Sequence, residues 1–440
     1  MKLNTAPRHP HGRTHEGAPA APLTPLQLLE RSVMSCLLWE DEFYEDGVKI
    51  ADRITKLAHD VPVEALADMA IQARHKAKLR HVPLLLLCAL VERGRSRTDG
   101  FVSNAIASVI SRADEPAELL SIYWRNGKRP LSKQLKVGLA VALAKFDEYE
   151  LAKYDRDGAV KLRDVFRLVR PRPEDAEQSE LWKRAVKREL KTPDTWEVAL
   201  SGGADKKETF ERLIREGRLG YLALLRNLAG MNTAGVSHDL IREAIVARRG
   251  ARDVLPFRFV AAIRAAPMFA TELNDAMVMA INELPKLPGE TAVLVDVSGS
   301  MNSRMSAKSD LSRMDAAAAL AAIVPGDRVR VFTFSERVVE VPRYSGMATV
   351  DAVVRSQAHS GTYLGRAVEH VYRDAEVRNR RLDRLIVITD EQSSDAVPPP
   401  KGKGYMINVA SAERGVGYGD WVRINGFSEN VLRWIASHEG

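Results

Sequence analysis

The chain has 440 residues, 45% hydrophobic and 28% charged, with a formal net charge of +7. That length supports two or three domains with sizeable cores, and the composition is that of a globular chain, neither disordered nor fibrous. No apolar run approaches the eighteen residues of a membrane-crossing helix. With only Cys36 and Cys88 present, a disulfide framework or thiolate zinc site is excluded, and two buried thiols in a reducing cytoplasm are expected.

Residues 1–22 are rich in Pro, Ala, His and Gly and lack an apolar signal core, so they read as a flexible arm. From Leu23 to about Met279 nearly every periodic segment reads as helix. Leu135, Leu139, Ala142, Leu143 and Phe146 share one face, as do Leu162, Val165, Phe166 and Val169. Breaks fall at Asn126-Gly127, Asp157-Gly158, Arg170-Pro171-Arg172-Pro173 and Ser201-Gly202-Gly203. Many short amphipathic helices without a sequence repeat imply stacked helix pairs of the solenoid kind.

The pattern changes at Leu284-Pro285-Lys286-Leu287-Pro288-Gly289. Beyond it, strands at 291–295, 328–334, 385–389 and 405–409 alternate with helices at 314–323, 364–374 and 429–438, and 338–341 is a hairpin partner. Such alternation predicts a mostly parallel, doubly wound sheet. The expected division is therefore an arm over 1–22, an all-helical domain over 23–285 and an α/β domain over 286–440.

In the α/β part, Thr291-Ala292-Val293-Leu294-Val295 runs into Asp296-Val297-Ser298-Gly299-Ser300. A buried strand ending this way delivers Asp296, Ser298 and Ser300 to one point. Thr362 opens a later helix, and Asp390 ends a second apolar strand. Ligands of doubly wound sheets sit outside the carboxyl ends of the strands, where both acids fall. Five hard oxygen donors suit Mg²⁺ or Mn²⁺ and poorly suit Zn²⁺. The Asp-x-Ser-x-Ser pattern resembles the metal-ion-dependent adhesion site of von Willebrand factor A domains.

The positive charge lies elsewhere. Residues 51–250 hold 37 Lys+Arg against 28 Asp+Glu, whereas residues 251–440 hold 23 of each. A basic middle points to a polyanion. Arg163, Arg167 and Arg170 recur at helical spacing. Lys128, Arg129, Lys133 and Lys136 form a second row, Lys161 extends the first, and Lys76, Lys78, Arg80 and His81 make a third cluster. Such rows can follow a phosphate backbone, with counterion release as the driving term. Tyr123-Trp124 is a candidate for base stacking, with helix-end packing as the alternative.

Several stretches of the helical part carry a wider resemblance: Ser32 to Gly47, with Cys36, Trp39 and Phe43; Leu79-Arg80-His81-Val82-Pro83-Leu84; Lys161-Leu162-Arg163-Asp164-Val165; Gly217 to Asn227 around Tyr221; and Trp421 to Ser428. Together they resemble the Ro 60 kDa autoantigen family, whose helical part is the TROVE domain, and in particular its bacterial members. The resemblance implies a ring of HEAT-like helix pairs closed by a von Willebrand A domain. It implies binding of small noncoding Y RNA on the basic outer surface, and of the ends of misfolded or structured RNA in the central hole. An exoribonuclease or other protein would be a partner through the A domain. No Walker loop, Gly-x-Ser-x-Gly or metal-spaced His cluster accompanies these features, so no enzyme activity is expected. Glu391 is the sole general-base candidate near Asp390. The competing reading is a metal-dependent protein-adhesion or chaperone-adaptor module without a specific RNA role.

Overall fold

The computed structural model describes residues 12–13, 19–20, 24–33, 47–75, 79–155, 157–251, 254, 256–304, 311–409, 419–425 and 430–439. Cys36, most of the Ser32–Gly47 stretch, Lys76, Lys78 and Gly426–Ser428 lie outside them. Within the arm, strands β1 (Gly12–Arg13) and β2 (Pro19–Ala20) pair antiparallel. No helix among the described residues is long and apolar enough to cross a membrane.

The chain forms two compact units, one of residues 49–202 and one of residues 1–48 with 203–440. The first is entirely helical. Its centre is the helix His81–Arg93, whose residues Val82 through Val91 are all buried because it is apolar all round. Helix Val63–His75 packs on it, and helix Phe101–Val109 packs on helix Lys133–Leu143. The last two approach closely because Gly138 has no side chain: a Cβ there would lie 2.7 Å from Ile106 Cβ. Ser132 caps the second of these helices by accepting from Leu135 N at 3.2 Å.

The second unit contains the remaining helices and a six-stranded sheet in the order β5-β4-β3-β6-β7-β8. The strands are β3 (Leu287–Asp296), β4 (Gly326–Phe334), β5 (Val338–Val341), β6 (Arg384–Thr389), β7 (Lys403–Asn408) and β8 (Val422–Asn425). All neighbours are parallel except the β4–β5 hairpin. This is a doubly wound sheet, with β3 at the point where the strand order reverses. The helix Met347–Val354 and strand β8 are additions to the sequence-based reading.

Secondary structure changes type near Leu287, but the packing boundary is a different one. Arg264, on helix Phe257–Ala265, meets Asp315 at 3.1 Å and Asp351 at 3.6 Å, and Asn274 accepts from Met347 N at 2.9 Å. These contacts place helices after Gly203 in the same compact unit as the sheet. The N-terminal helix Pro25–Val33 joins it by packing on β8.

Candidate metal centre and basic surface

Because β4, β3 and β6 are adjacent and parallel, their carboxyl ends lie side by side. Asp296 ends β3 and is fully buried. One carboxylate oxygen accepts from Ser298 N at 2.8 Å and the other from Thr389 Oγ1 at 2.7 Å. A short 3₁₀ turn over Gly299–Asn302 brings Ser300 Oγ within 3.3 Å of Ser298 Oγ. Asp390 follows β6 and is likewise buried.

The loop bearing Thr362 is stitched to the same end of the sheet. Gly299 N donates to Ser360 O at 3.2 Å, and the His359 ring bonds Val297 O through Nδ1 at 2.8 Å. Ser335, just beyond β4, accepts from Ser360 N at 2.9 Å and donates to Gly361 O at 3.0 Å. Ser394 N donates to Thr362 O at 2.8 Å, which ties that loop to the one after Asp390. The five residues singled out by sequence are thus gathered at one end of the sheet. Sequence reasoning missed the ones that hold them there, namely Thr389, Ser335, His359 and Ser394.

The electrostatics are compatible with a cation. Burial first, and then the charge of Asp390, push the Asp296 carboxyl up to about 7. Burial also raises Asp390, against the opposing influence of the Ser300 hydroxyl and the Arg313 guanidinium. Neither carboxylate oxygen of Asp390 has a well-formed hydrogen bond among the described residues. Buried acceptors in this state, flanked by hydroxyls, fit a hard divalent ion. No group of three or more His, Cys, Asp and Glu residues that could hold a metal occurs among the described residues. The donors here are two acids and three hydroxyls. Glu391 is fully buried with a left-handed φ of 59°, which does not suit a base that must reach substrate water.

The basic candidates divide. Lys133 and Lys136 on helix Lys133–Leu143, Arg167 on helix Leu162–Val169, and Arg170 just past it are exposed, with no acidic partner among the described residues. The two helices pack against each other. Lys128 is exposed and lies 6.0 Å from the Trp124 ring, with no acidic partner among the described residues. The other candidates among the described residues are engaged within the fold. Arg129 stacks on Tyr123 at 3.9 Å and pairs with Glu92 at 3.2 Å. Lys161 holds Asp157 at 2.8 Å, and Arg163 lies 4.0 Å from Asp164. Arg80 bridges Asp114 and Glu118. His81 opens its helix, with its pKa lowered by burial and by Arg80 and Arg112. Tyr123 and Trp124 are held by packing and by bonds to Pro130 O and Arg129 O, so the packing alternative describes them.

Arg170 is unusual in a further way. Arg170, Arg188 and Arg248 each end a helix in the left-handed conformation, where glycine is the usual occupant. Arg188 faces Asp155 and Asp157, and Arg248 pairs with Glu283 at 2.8 Å. Arg170 takes the same strained shape with no acid opposite it among the described residues.

A helical region followed by a metal-type doubly wound domain defines the class, and the comparisons agree. The TROVE domain family matches residues 176–320, and the von Willebrand factor type A domain family matches residues 291–392. Together these two matches resemble the arrangement of the Ro 60 kDa autoantigen family, a TROVE region followed by a von Willebrand factor type A domain. The crystal structure of the Deinococcus radiodurans Ro (RSR) protein superposes with a TM-score of 0.65, covering 94% of this chain and 100% of that one. At 15% identity this likeness speaks for the fold alone. Telomerase protein component 1 is 34% identical in Mus musculus and 33% in Rattus norvegicus, each over 76 residues. Those stretches are 16% of this chain and 3% of either relative.

Proposed function

We propose that the chain is an RNA-binding component of a ribonucleoprotein. It takes a small, structured, Y-like RNA on the exposed cations Lys128, Lys133, Lys136, Arg167 and Arg170, and the ends of misfolded RNA in a ring cavity. It acts without catalysis of its own, in RNA quality control or processing in the cytoplasm. The observation that carries this reading is the placement of charge. Residues 49–202 hold 29 Lys+Arg against 22 Asp+Glu, so the entire net charge of +7 belongs to that compact unit, while the rest of the chain holds 36 of each. A net positive unit whose exposed cations on two packed helices have no acidic partner among the described residues favours an extended phosphate backbone.

In this reading Ser298, Ser300 and Thr362, with Asp296 and Asp390 directly or through water, hold Mg²⁺ or Mn²⁺. The ion supplies a Lewis-acidic attachment point for an acidic side chain of a protein partner, such as an exoribonuclease. The test is a mobility-shift titration of a structured RNA across a salt series, comparing the wild type with a variant reversed to Glu at Lys133, Lys136, Arg167 and Arg170. Equal affinity of the two proteins at every salt concentration would remove the reading.

A second reading, an adhesion or adaptor module alone, is supported by the gathering of two acids and three hydroxyls at one end of the sheet. It is separated from the first by the ultraviolet spectrum of protein purified at low salt, where absorbance from bound RNA would count against it.

A further inference from the structure

Beneath the loop Trp124–Arg129 in the helical unit lies a cavity of about 430 Å³. Its floor includes Leu85, Cys88 and Ala89, and its rim carries Arg125, Lys128 and Arg129. The loop is well anchored. Trp124 Nε1 donates to Arg129 O at 2.8 Å, Gly127 N to Trp124 O at 2.9 Å, and the Tyr123 hydroxyl to Pro130 O at 3.0 Å. The cavity is therefore preformed, as small-molecule sites mostly are, and its volume lies within their usual range of about 300–1,000 Å³.

The lining specifies the occupant. The Cys88 thiol donates to Leu119 O at 3.8 Å and is pushed up to about 12 by burial, so it is chemically inert, while Thr55, His59 and Asn126 bring polar groups to the lining. At the rim Arg125 is compensated by Asp52 at 2.9 Å and Arg129 by Glu92 at 3.2 Å. Lys128 has no acid against it among the described residues, which leaves one positive charge at the mouth. A body of base size with polar edges and a single anionic group matches this arrangement, since Thr55, His59 and Asn126 also line the cavity.

We propose that this cavity receives one unstacked ribonucleotide, with the base on the Leu85–Ala89 floor and the phosphate at Lys128. The inference rests on the RNA reading in one respect: the nucleotide belongs to a bound RNA and is not free in solution.

The experiment is saturation-transfer NMR on the full chain with the four ribonucleoside 5′-monophosphates, the ribonucleosides and inorganic phosphate. At least one monophosphate should bind saturably, its nucleoside at least tenfold more weakly, and phosphate should fail to compete at equal concentration. Lys128→Glu should weaken the monophosphate tenfold or more, and Ala89→Phe, which fills the floor, should abolish its binding. Should Ala89→Phe melt early, exposed Lys128 still decides the matter. Absence of saturable monophosphate binding, or binding that Lys128→Glu leaves unchanged, overturns the site. Competition by a single-stranded oligonucleotide supports RNA as the source. Intact monophosphate binding without such competition overturns that source in favour of free nucleotide. Reversal of Lys133, Lys136, Arg167 and Arg170 tests the broader RNA reading separately, because none of these four lines the cavity.

Discussion

The metal end of the sheet and the outer face of the helical unit both gather charge, and they do so in opposite ways. At the sheet the charges are buried, negative and individually fixed. Asp296 is held by two hydrogen bonds, and the loops around it are bonded to one another. On the helices the charges are exposed, positive and unpaired. A buried constellation acts as a single point whose parts fail together, because each orphaned group keeps its full desolvation cost. An exposed row acts as a sum of screened contributions, so its losses are graded and depend on salt. The difference suits the one region to a single ion and the other to a polymer.

The largest test of the buried regime lies at the opposite end of the sheet. Arg384 is 1% exposed and bonds Glu439, which also accepts from Lys403 at 2.8 Å and from the Tyr405 hydroxyl at 3.0 Å. Burial would raise the Glu439 carboxyl, yet these three donors hold it down to about 2. Glu439→Ala should cost about 3–5 kcal/mol in denaturant unfolding, because it leaves a buried guanidinium uncompensated. A loss below about 1 kcal/mol would show that the α/β unit tolerates buried charge as the surface does.

The graded regime is tested by the fourfold reversal of Lys133, Lys136, Arg167 and Arg170. The slope of log K against log salt for a structured RNA should flatten by roughly 3 to 4 units, about 0.9 per lost phosphate contact. An unchanged slope would place the RNA on another face.

A smaller effect, linked to pH, is expected at the metal end. The folded metal-free protein holds a proton on Asp296 up to about 7, whereas an ordinary aspartate loses it near 3.8. The folded state thus binds more protons between those values, and the stability this confers at low pH is lost as pH rises through about 7. A bound divalent ion displaces that proton. Mg²⁺ should therefore raise the melting temperature more at pH 7.5 than at pH 5. Equal shifts at the two pH values would speak against Asp296 as part of the ion's site.

The smallest expected effect concerns independence. Asp296→Ala should abolish Mg²⁺ uptake in calorimetry while changing affinity for structured RNA by less than a factor of about two, under ~0.5 kcal/mol. A tenfold loss of RNA affinity in a folded variant would put the ion in the RNA site and erase the distinction between the two regions.

What sequence alone determined is whatever depends on neighbours along the chain. A run such as Thr291–Val295 ending in Asp-x-Ser-x-Ser announces a buried strand and its loop, since periodicity and burial are local properties. The order of Asp296, Thr362 and Asp390 along an alternating pattern was enough to place them at one end of a parallel sheet. A helical wheel likewise assigned Lys133, Lys136 and Arg167 to outward faces. It could not say that Arg80, Arg129 and Lys161 are occupied by Glu118, Glu92 and Asp157, because a wheel gives a direction and no neighbour. The bond from Thr389 to Asp296 spans 93 residues, and the pairing of Arg384 with Glu439 spans 55. The packing of the helices after Gly203 with the sheet also depends on contacts such as Arg264 with Asp315, 51 residues apart. Only the tertiary structure decided these, because hydrogen bonds and ion pairs depend on where chemically ordinary residues meet in space.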